Sequence, residues 1–283
     1  MSPFPTFEPT VDVSASGAHA TTDIAVPNAI SLDAVTKYYG DTLILDSIDH
    51  VVEAGSFVSL IGPSGCGKST LLRMIADLEP VSGGRVRIGA RTPDECRRDH
   101  AMSMVFQSPN LVPWRSVRRN VELPLEAMGV SASRRAALAD AELAKVGLDG
   151  YGDAHPRTLS GGMAQRAAIA RALVTDPGIV LMDEPFGALD EILRERLNYE
   201  LHDLWATTGK TIVFVTHSIA EAVALSTDIV VMGRNPGRIV SHLPVDLPRE
   251  RGPHLAETER FFQITTEVRR LLALAAGPSG AST

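Results

Sequence analysis

The chain has 283 residues, 44% apolar and 22% charged, with a net charge of −7. That composition suits a globular chain long enough for one large domain or two smaller lobes. The acidic balance argues against nucleic acid as a main partner, since phosphate backbones select clustered Lys and Arg. No apolar run approaches the roughly 18 residues of a membrane-spanning helix.

Residues 1–28 are rich in Ser, Thr, Ala and Pro without periodicity and predict a disordered tail. They hold no basic segment followed by an apolar core, so a secretory leader is not expected. From Ile30 to about Ile88 short apolar runs alternate with turns: ISLDAV, TLILDSI, FVSLI and RVRIG. This pattern predicts a β-rich lobe, with FVSLI (57–61) a buried strand and LLRMIADL (71–78) a helix. From about 108 to 176 alanine and leucine dominate, as in SRRAALADAELAKVGL, and an inserted helical subdomain is expected. IVLM (179–182) and TIVFVT (211–216) return as apolar strands separated by a helical stretch, which predicts parallel strands with crossover helices. Residues 246–283 predict a linker, an amphipathic helix near 256–274 and a tail. The principal domain is therefore expected at 29–245.

Between FVSLI and its helix stands GPSGCGKST (62–70), a complete match to G-x-x-x-x-G-K-[ST] in the strand–loop–helix context such a loop requires. Gly62, Gly65 and Gly67 allow backbone angles that turn amide N–H groups toward an anion. Pro63, Ser64, Cys66 and Thr70 complete the cradle, and the helix beginning near Lys68 points its positive end at the same spot. Lys68 reaches the outer phosphates and the Ser69 hydroxyl a Mg²⁺ ion. The loop alone implies a nucleoside triphosphate without separating kinase, GTPase, helicase or transporter motor. IVLMDE (179–184) ends a strand in two carboxylates. On an extended strand they face opposite ways, so Asp183 can serve the metal while Glu184 polarises an attacking water. LSGGM (159–163) places Ser160, Gly161 and Gly162 at a helix start, a second anion cradle. Ala167, Ala170 and Leu173 are expected on the packed face of that helix. Cys66 and Cys96 form neither a disulfide framework nor a zinc spacing, and Cys66 reads as a small filler in a reducing environment. Arg97-Arg98, Arg118-Arg119 and Arg134-Arg135 read as solvated faces.

LSGGM-x-QR, with GPSGCGKST before it and LMDEPFGALD after it, resembles the ATP-binding subunit of an ABC transporter, an α/β P-loop fold with a mixed sheet core. The likeness covers nearly all of residues 30–245. Its motifs stand in the family's order: the phosphate loop; Gln107 in VFQSPNLVPW; the signature LSGGM with Gln165 and Arg166; the strand ending in Asp183 and Glu184; Ala188-Leu189-Asp190; and His217 in FVTHS. The resemblance implies that Tyr39 of KYYG stacks on adenine, and that Gln107 joins Ser69 and Asp183 around Mg²⁺. Gln107 also links the γ-phosphate to the permease-facing surface. His217 contacts the γ-phosphate beside Glu184. It further implies a head-to-tail homodimer in which the signature and Asp190 of one copy close on the phosphate loop of the other, with ATP favouring closure.

NLVPWRSVRRNV (110–121), Met163, DEPFGALDE (183–191) and NPGRIV (235–240) resemble the importer branch for nitrate, sulfonates and taurine. Asp77 and Ser218 depart from it, where glycine and aspartate are usual. The branch implies transmembrane permease subunits meeting the chain near Trp114 and Arg115, a separate solute-binding protein, and a peripheral place on the cytoplasmic side of the inner membrane. Trp114 as a core residue is the competing reading. Two further alternatives stand: a non-transport ABC ATPase of DNA repair or the ribosome, and a plain P-loop kinase or GTPase, which leaves LSGGM and His217 without a role.

Overall fold

The computed structural model describes residues 27–187, 189–252 and 254–276. Most of the expected tail at 1–28, Ala188 and the last seven residues lie outside this range. In chain order come β1 (Ile30–Tyr39), β2 (Thr42–Val52), β3 (Phe57–Ile61), α1 (Lys68–Ile75), β4 (Gly83–Ile88), α2 (Pro93–Arg98) and β5 (Met102–Val105). Then follow α3 (Val117–Val121), α4 (Leu123–Ala127), α5 (Ala132–Lys145), α6 (Gly161–Leu173), β6 (Ile179–Asp183) and α7 (Glu191–Thr208). β7 (Thr211–Val215), α8 (Ile219–Leu225), β8 (Asp228–Gly233), β9 (Arg238–Pro244) and α9 (Glu259–Ala275) complete the described chain.

The strands form two sheets. One is antiparallel, in the order β2-β1-β4, and the other has six strands in the order β5-β6-β7-β3-β8-β9. All neighbours in the larger sheet are parallel except β8 and β9. The strand feeding the phosphate loop thus departs from the β-rich lobe expected for it. β3 is buried along its whole length, and such a strand needs neighbours on both edges and cover on both faces, which the parallel sheet supplies through β7 and β8.

The period-two alternation of these strands sorts their side chains into separate cores. Val180, Met182, Ile212 and Phe214 face α6 and α7. Ile179, Leu181, Val213 and Val215 face the antiparallel sheet and α1. Ile229 and Val231 meet α8 and α9 in a third cluster. The region from 117 to 173 is helical as expected, with Ala167, Ala170 and Leu173 buried. α9 buries Phe261, Ile264, Val268 and Leu271, the 3–4 spacing of an amphipathic helix. Among the described residues no helix is long and apolar enough to cross a membrane.

Two of the basic pairs are not plain solvated faces. Arg118 reaches Asp140 at 2.6 Å and Asp153 at 2.5 Å, and Arg135 donates to the Val130 carbonyl at 2.7 Å. Arg118 ties α3 to α5, and Arg135 fastens α5 to the turn that precedes it.

Candidate nucleotide site

The loop between β3 and α1 is shaped by close approaches as much as by glycine freedom. Gly67 caps α1 with φ +92°, and a Cβ there would lie 2.5 Å from Leu45 Cδ2 of β2. Gly62 has no positive φ; a Cβ would meet the Met232 carbonyl oxygen of β8 at 2.4 Å, so its small size is what the position requires. Lys68 is 7% exposed, and its ammonium donates to the Gly62 carbonyl at 2.8 Å and the Pro63 carbonyl at 3.2 Å. The cation is therefore already held across the loop. Ser64 and Gly65 are exposed, Pro63 and Thr70 half-buried. Cys66 is fully buried, and burial pushes its thiol up from the ordinary value, in keeping with a filler.

The two carboxylates at the end of β6 diverge. Asp183 is buried and accepts from the Ser69 hydroxyl at 2.7 Å. Burial pushes its acid up, and the Ser69 hydrogen bond offsets part of that. Glu184 leaves the strand at φ +44°, a left-handed backbone unusual outside glycine and held by its N–H bond to the Val215 carbonyl at 3.0 Å. Its carboxylate has partners other than those of Asp183. Gln107 Nε2 donates to it at 3.3 Å, and His217 Nδ1 lies 3.4 Å away. Gln107, Glu184 and His217, 110 residues apart at the extremes of the chain order, converge on one point.

Other expected residues stand elsewhere. Tyr39 is exposed at the end of β1, with the Lys37 ammonium 4.9 Å from its ring centre. Ser160 is exposed and caps α6; its hydroxyl accepts from Met163 N–H at 3.2 Å and its carbonyl from Ala164 N–H at 2.9 Å. Gly161 is exposed beside it and Gly162 buried. Asp190 caps α7, accepting from Leu193 N–H at 3.0 Å. Trp114 is 78% exposed, so it is no core residue, and Arg115 pairs with Glu126 at 2.6 Å.

Several further residues shape the site. Gln165 is buried and donates to the Phe106 carbonyl at 3.1 Å, joining the signature helix to the residue before Gln107. Thr216 donates its hydroxyl to the buried Glu221 carboxylate and accepts from Ser218 N–H at 3.0 Å, which clasps the main chain on both sides of His217. Ser218 caps α8 by accepting from Glu221 N–H at 3.3 Å, the task an aspartate there performs. The Ser-x-x-Glu spacing from 218 to 221 is the one sequence signal that marks this cap.

A loop that cradles phosphate, a hydroxyl–carboxylate pair beside it, and a Gln–Glu–His cluster together fit hydrolysis of a nucleoside triphosphate. Residues 45–187 match the model of the ABC transporter family. The taurine import ATP-binding protein TauB of Rhizobium johnstonii is 43% identical over 240 residues, 83% of this chain and 91% of that protein. The aliphatic sulfonates import ATP-binding protein SsuB of Rhodopseudomonas palustris is 44% identical over 230 residues, 81% of this chain and 79% of that protein. A bacterial ABC transporter cassette solved as a dimer superposes with TM-score 0.70 at 36% identity, covering 77% of this chain and 100% of that one. The same cassette bound to ADP and Pi after hydrolysis gives 0.68 at 34%, with the same coverage. Fold, site and relatives agree: the chain belongs to the ABC transporter family, as an ATP-binding cassette that hydrolyses ATP.

Proposed function

We propose that this chain powers an importer for a small anionic solute of sulfonate, taurine or nitrate type, by closing as a head-to-tail homodimer around two ATP molecules. The observation that carries closure is a second anion cradle that stands exposed. The loop at 62–70 already holds Lys68 in place, while Ser160 is exposed with its hydrogen bonds running only along α6. A second copy brings that free helix start to the triphosphate. The importer reading follows the names of the relatives, which do not favour a role in DNA repair or on the ribosome.

In this reading Lys68 and the loop N–H groups bind the phosphates, Tyr39 stacks on adenine, and Asp190 faces the partner. Glu184 orients the attacking water and draws off its proton, and His217 and Gln107 hold the γ-phosphate side of the cluster. The Ser69 hydroxyl and the buried Asp183 carboxylate, 2.7 Å apart, are a donor set suited to Mg²⁺, with Gln107 as the third contributor. Bound there, the ion neutralises charge on the phosphates. Transmembrane permease subunits meet the chain at Trp114 and Arg115 and hold it on the cytoplasmic side of the inner membrane, and a separate binding protein delivers the solute. No nucleic acid takes part.

Glu184→Gln tests closure. With ATP and Mg²⁺ the variant is expected to run as a dimer in light scattering, and Ser160→Ala added to it as a monomer. A Glu184→Gln protein that stays monomeric at saturating ATP overturns the reading.

A further inference from the structure

The machinery described so far leaves a polar chain between α7 and α8 without a role. Arg194, on the first turn of α7, donates through Nη2 to the Leu189 carbonyl at 2.8 Å. Leu189 directly precedes the Asp190 cap, in the segment that the closure reading turns toward the partner. The same guanidinium places Nε 3.5 Å from Glu221 Oε1 on α8. Glu221 then accepts from the Thr216 hydroxyl, and Thr216 accepts from Ser218 N–H at 3.0 Å. Four links thus run from the Leu189 carbonyl to the two residues flanking His217, whose ring stands 3.4 Å from Glu184.

We propose that Arg194 and Glu221 are positioning residues that tie the place of His217 to the conformation of Leu189-Asp190, so that hydrolysis is fast only when that segment is engaged by a second copy. This rests on the closure reading above.

The chemistry suits a link that is made or broken rather than stretched. The Glu221 side chain is 8% exposed and that of Arg194 28%, so both ends are shielded from water, and losing one partner strands a charge in poorly solvated surroundings. A shift of about 1 Å at Leu189 carries the 2.8 Å bond out of hydrogen-bond range. Arg194 Nε has no hydrogen-bond partner, so the pair with Glu221 is electrostatic contact with slack left in it. A small rotation of α7 would tighten or lose that contact. At the other end α8 starts at Ile219, capped by Ser218, and the Thr216–Glu221 bond closes a tight loop around His217. The main chain that carries His217 cannot move far without opening it.

Steady-state ATPase kinetics of Arg194→Ala, Glu221→Gln and the double variant test the link. Each single change is expected to lower kcat about tenfold, a typical size for residues along a coupled network. KM for ATP should stay within about twofold, because transition-state positioning is lost and not uniform binding. The double variant should be no slower than the slower single one, since both break one chain of contacts. Arg194→Lys, which keeps a donor for the Leu189 carbonyl, should restore part of kcat. Glu184→Gln/Arg194→Ala should still dimerise with ATP; loss of dimer in Glu184→Gln alone counts against closure, not against the link. A kcat within about twofold of wild type, losses that multiply, or a risen KM at unchanged kcat overturns the proposal. Should Arg194→Ala fail to fold by thermal melt, Thr216→Val, nearly isosteric, replaces it with the same expected fall in kcat.

Discussion

Asp183 shows how one side chain sets activity against stability. Its carboxylate is buried at the end of β6, and burial raises its acid above the ordinary range despite the Ser69 hydrogen bond. A folded-state value raised above the unfolded one means that the folded chain holds the proton more tightly, so stability falls as pH climbs from the ordinary aspartate value, about 4, through the raised one. Above that window the full cost persists. Asp183→Asn keeps an acceptor for Ser69 and removes the buried charge. It is expected to raise the melting temperature of the nucleotide-free protein at neutral pH, to lose that advantage as pH falls through the window, and to abolish ATPase activity. Melting curves across pH beside an ATPase assay check both arms. The residues of this kind that were legible in sequence are those whose chemistry is local: Lys68 and Ser69 within one loop, Asp183 and Glu184 at one strand end. Arg194, Glu221 and Thr216 were not, because an arginine on one helix and a glutamate 27 positions later acquire meaning only when α7 packs on α8. The departure at Asp77 also becomes clear only in space. It stands at φ +57° just past α1, the backbone glycine would favour, and its carboxylate accepts from Arg97 at 2.8 Å in compensation.

Among elements, α8 depends most on its neighbours. Seven residues are too few for a helix to stand alone, and this one begins two residues after His217. Its far end is fastened by a residue from the stretch read as a linker. Arg251 is buried with no carboxylate partner among the described residues and donates instead to the carbonyls of Val223, Ala224 and Ser226 at 3.2, 2.7 and 2.8 Å. Burial alone pushes its guanidinium down to about 10. Arg249 braces the same stretch, donating to the Ala206 carbonyl at 3.0 Å and lying 5.5 Å over the Trp205 ring. Arg251→Ala would leave three helix-end carbonyls without their donor, an expected loss of roughly 2–4 kcal/mol in stability. Urea unfolding with an unchanged slope measures it, and a loss below about 0.5 kcal/mol would show that water replaces the guanidinium without cost. This bracing was not legible in sequence because a Pro- and Arg-rich stretch lacks periodicity, and its contribution lies in single side chains reaching back to α7 and α8. β9 was hidden for a related reason. Its residues alternate between exposed and half-buried, so no apolar stripe marks it, and it pairs only at the sheet edge with β8.

At the scale of the whole molecule, the proposed permease contact falls on the loop that leads into the helical region. Trp114 is 78% exposed, yet the loop beneath it is held from three sides. Asn120, fully buried, accepts from Val112 N–H at 2.6 Å and donates to the carbonyls of Val112, Arg115 and Ser116. Arg171 of α6 donates to the carbonyls of Pro109 and Asn110 at 2.7 and 2.8 Å. Arg115 pairs with Glu126. An aromatic side chain that gains nothing from its own fold, on a backbone fixed so firmly, has the character of an anchor for a partner. The same α6 that carries Arg171 starts at Ser160 and holds Gln165 against Phe106, so this loop, the signature and Gln107 ride on one rigid helix. Trp114→Ala should therefore leave the melting temperature within about 1 °C and ATP affinity unchanged, because no buried contact is lost. It should weaken co-purification with the permease subunits at least tenfold, the size of an aromatic hot spot worth about 2 kcal/mol. A melting temperature that drops by about 2 °C or more, the mark of roughly 1 kcal/mol in a chain of this size, would show that Trp114 serves to hold its own loop and leave the permease contact to be sought elsewhere.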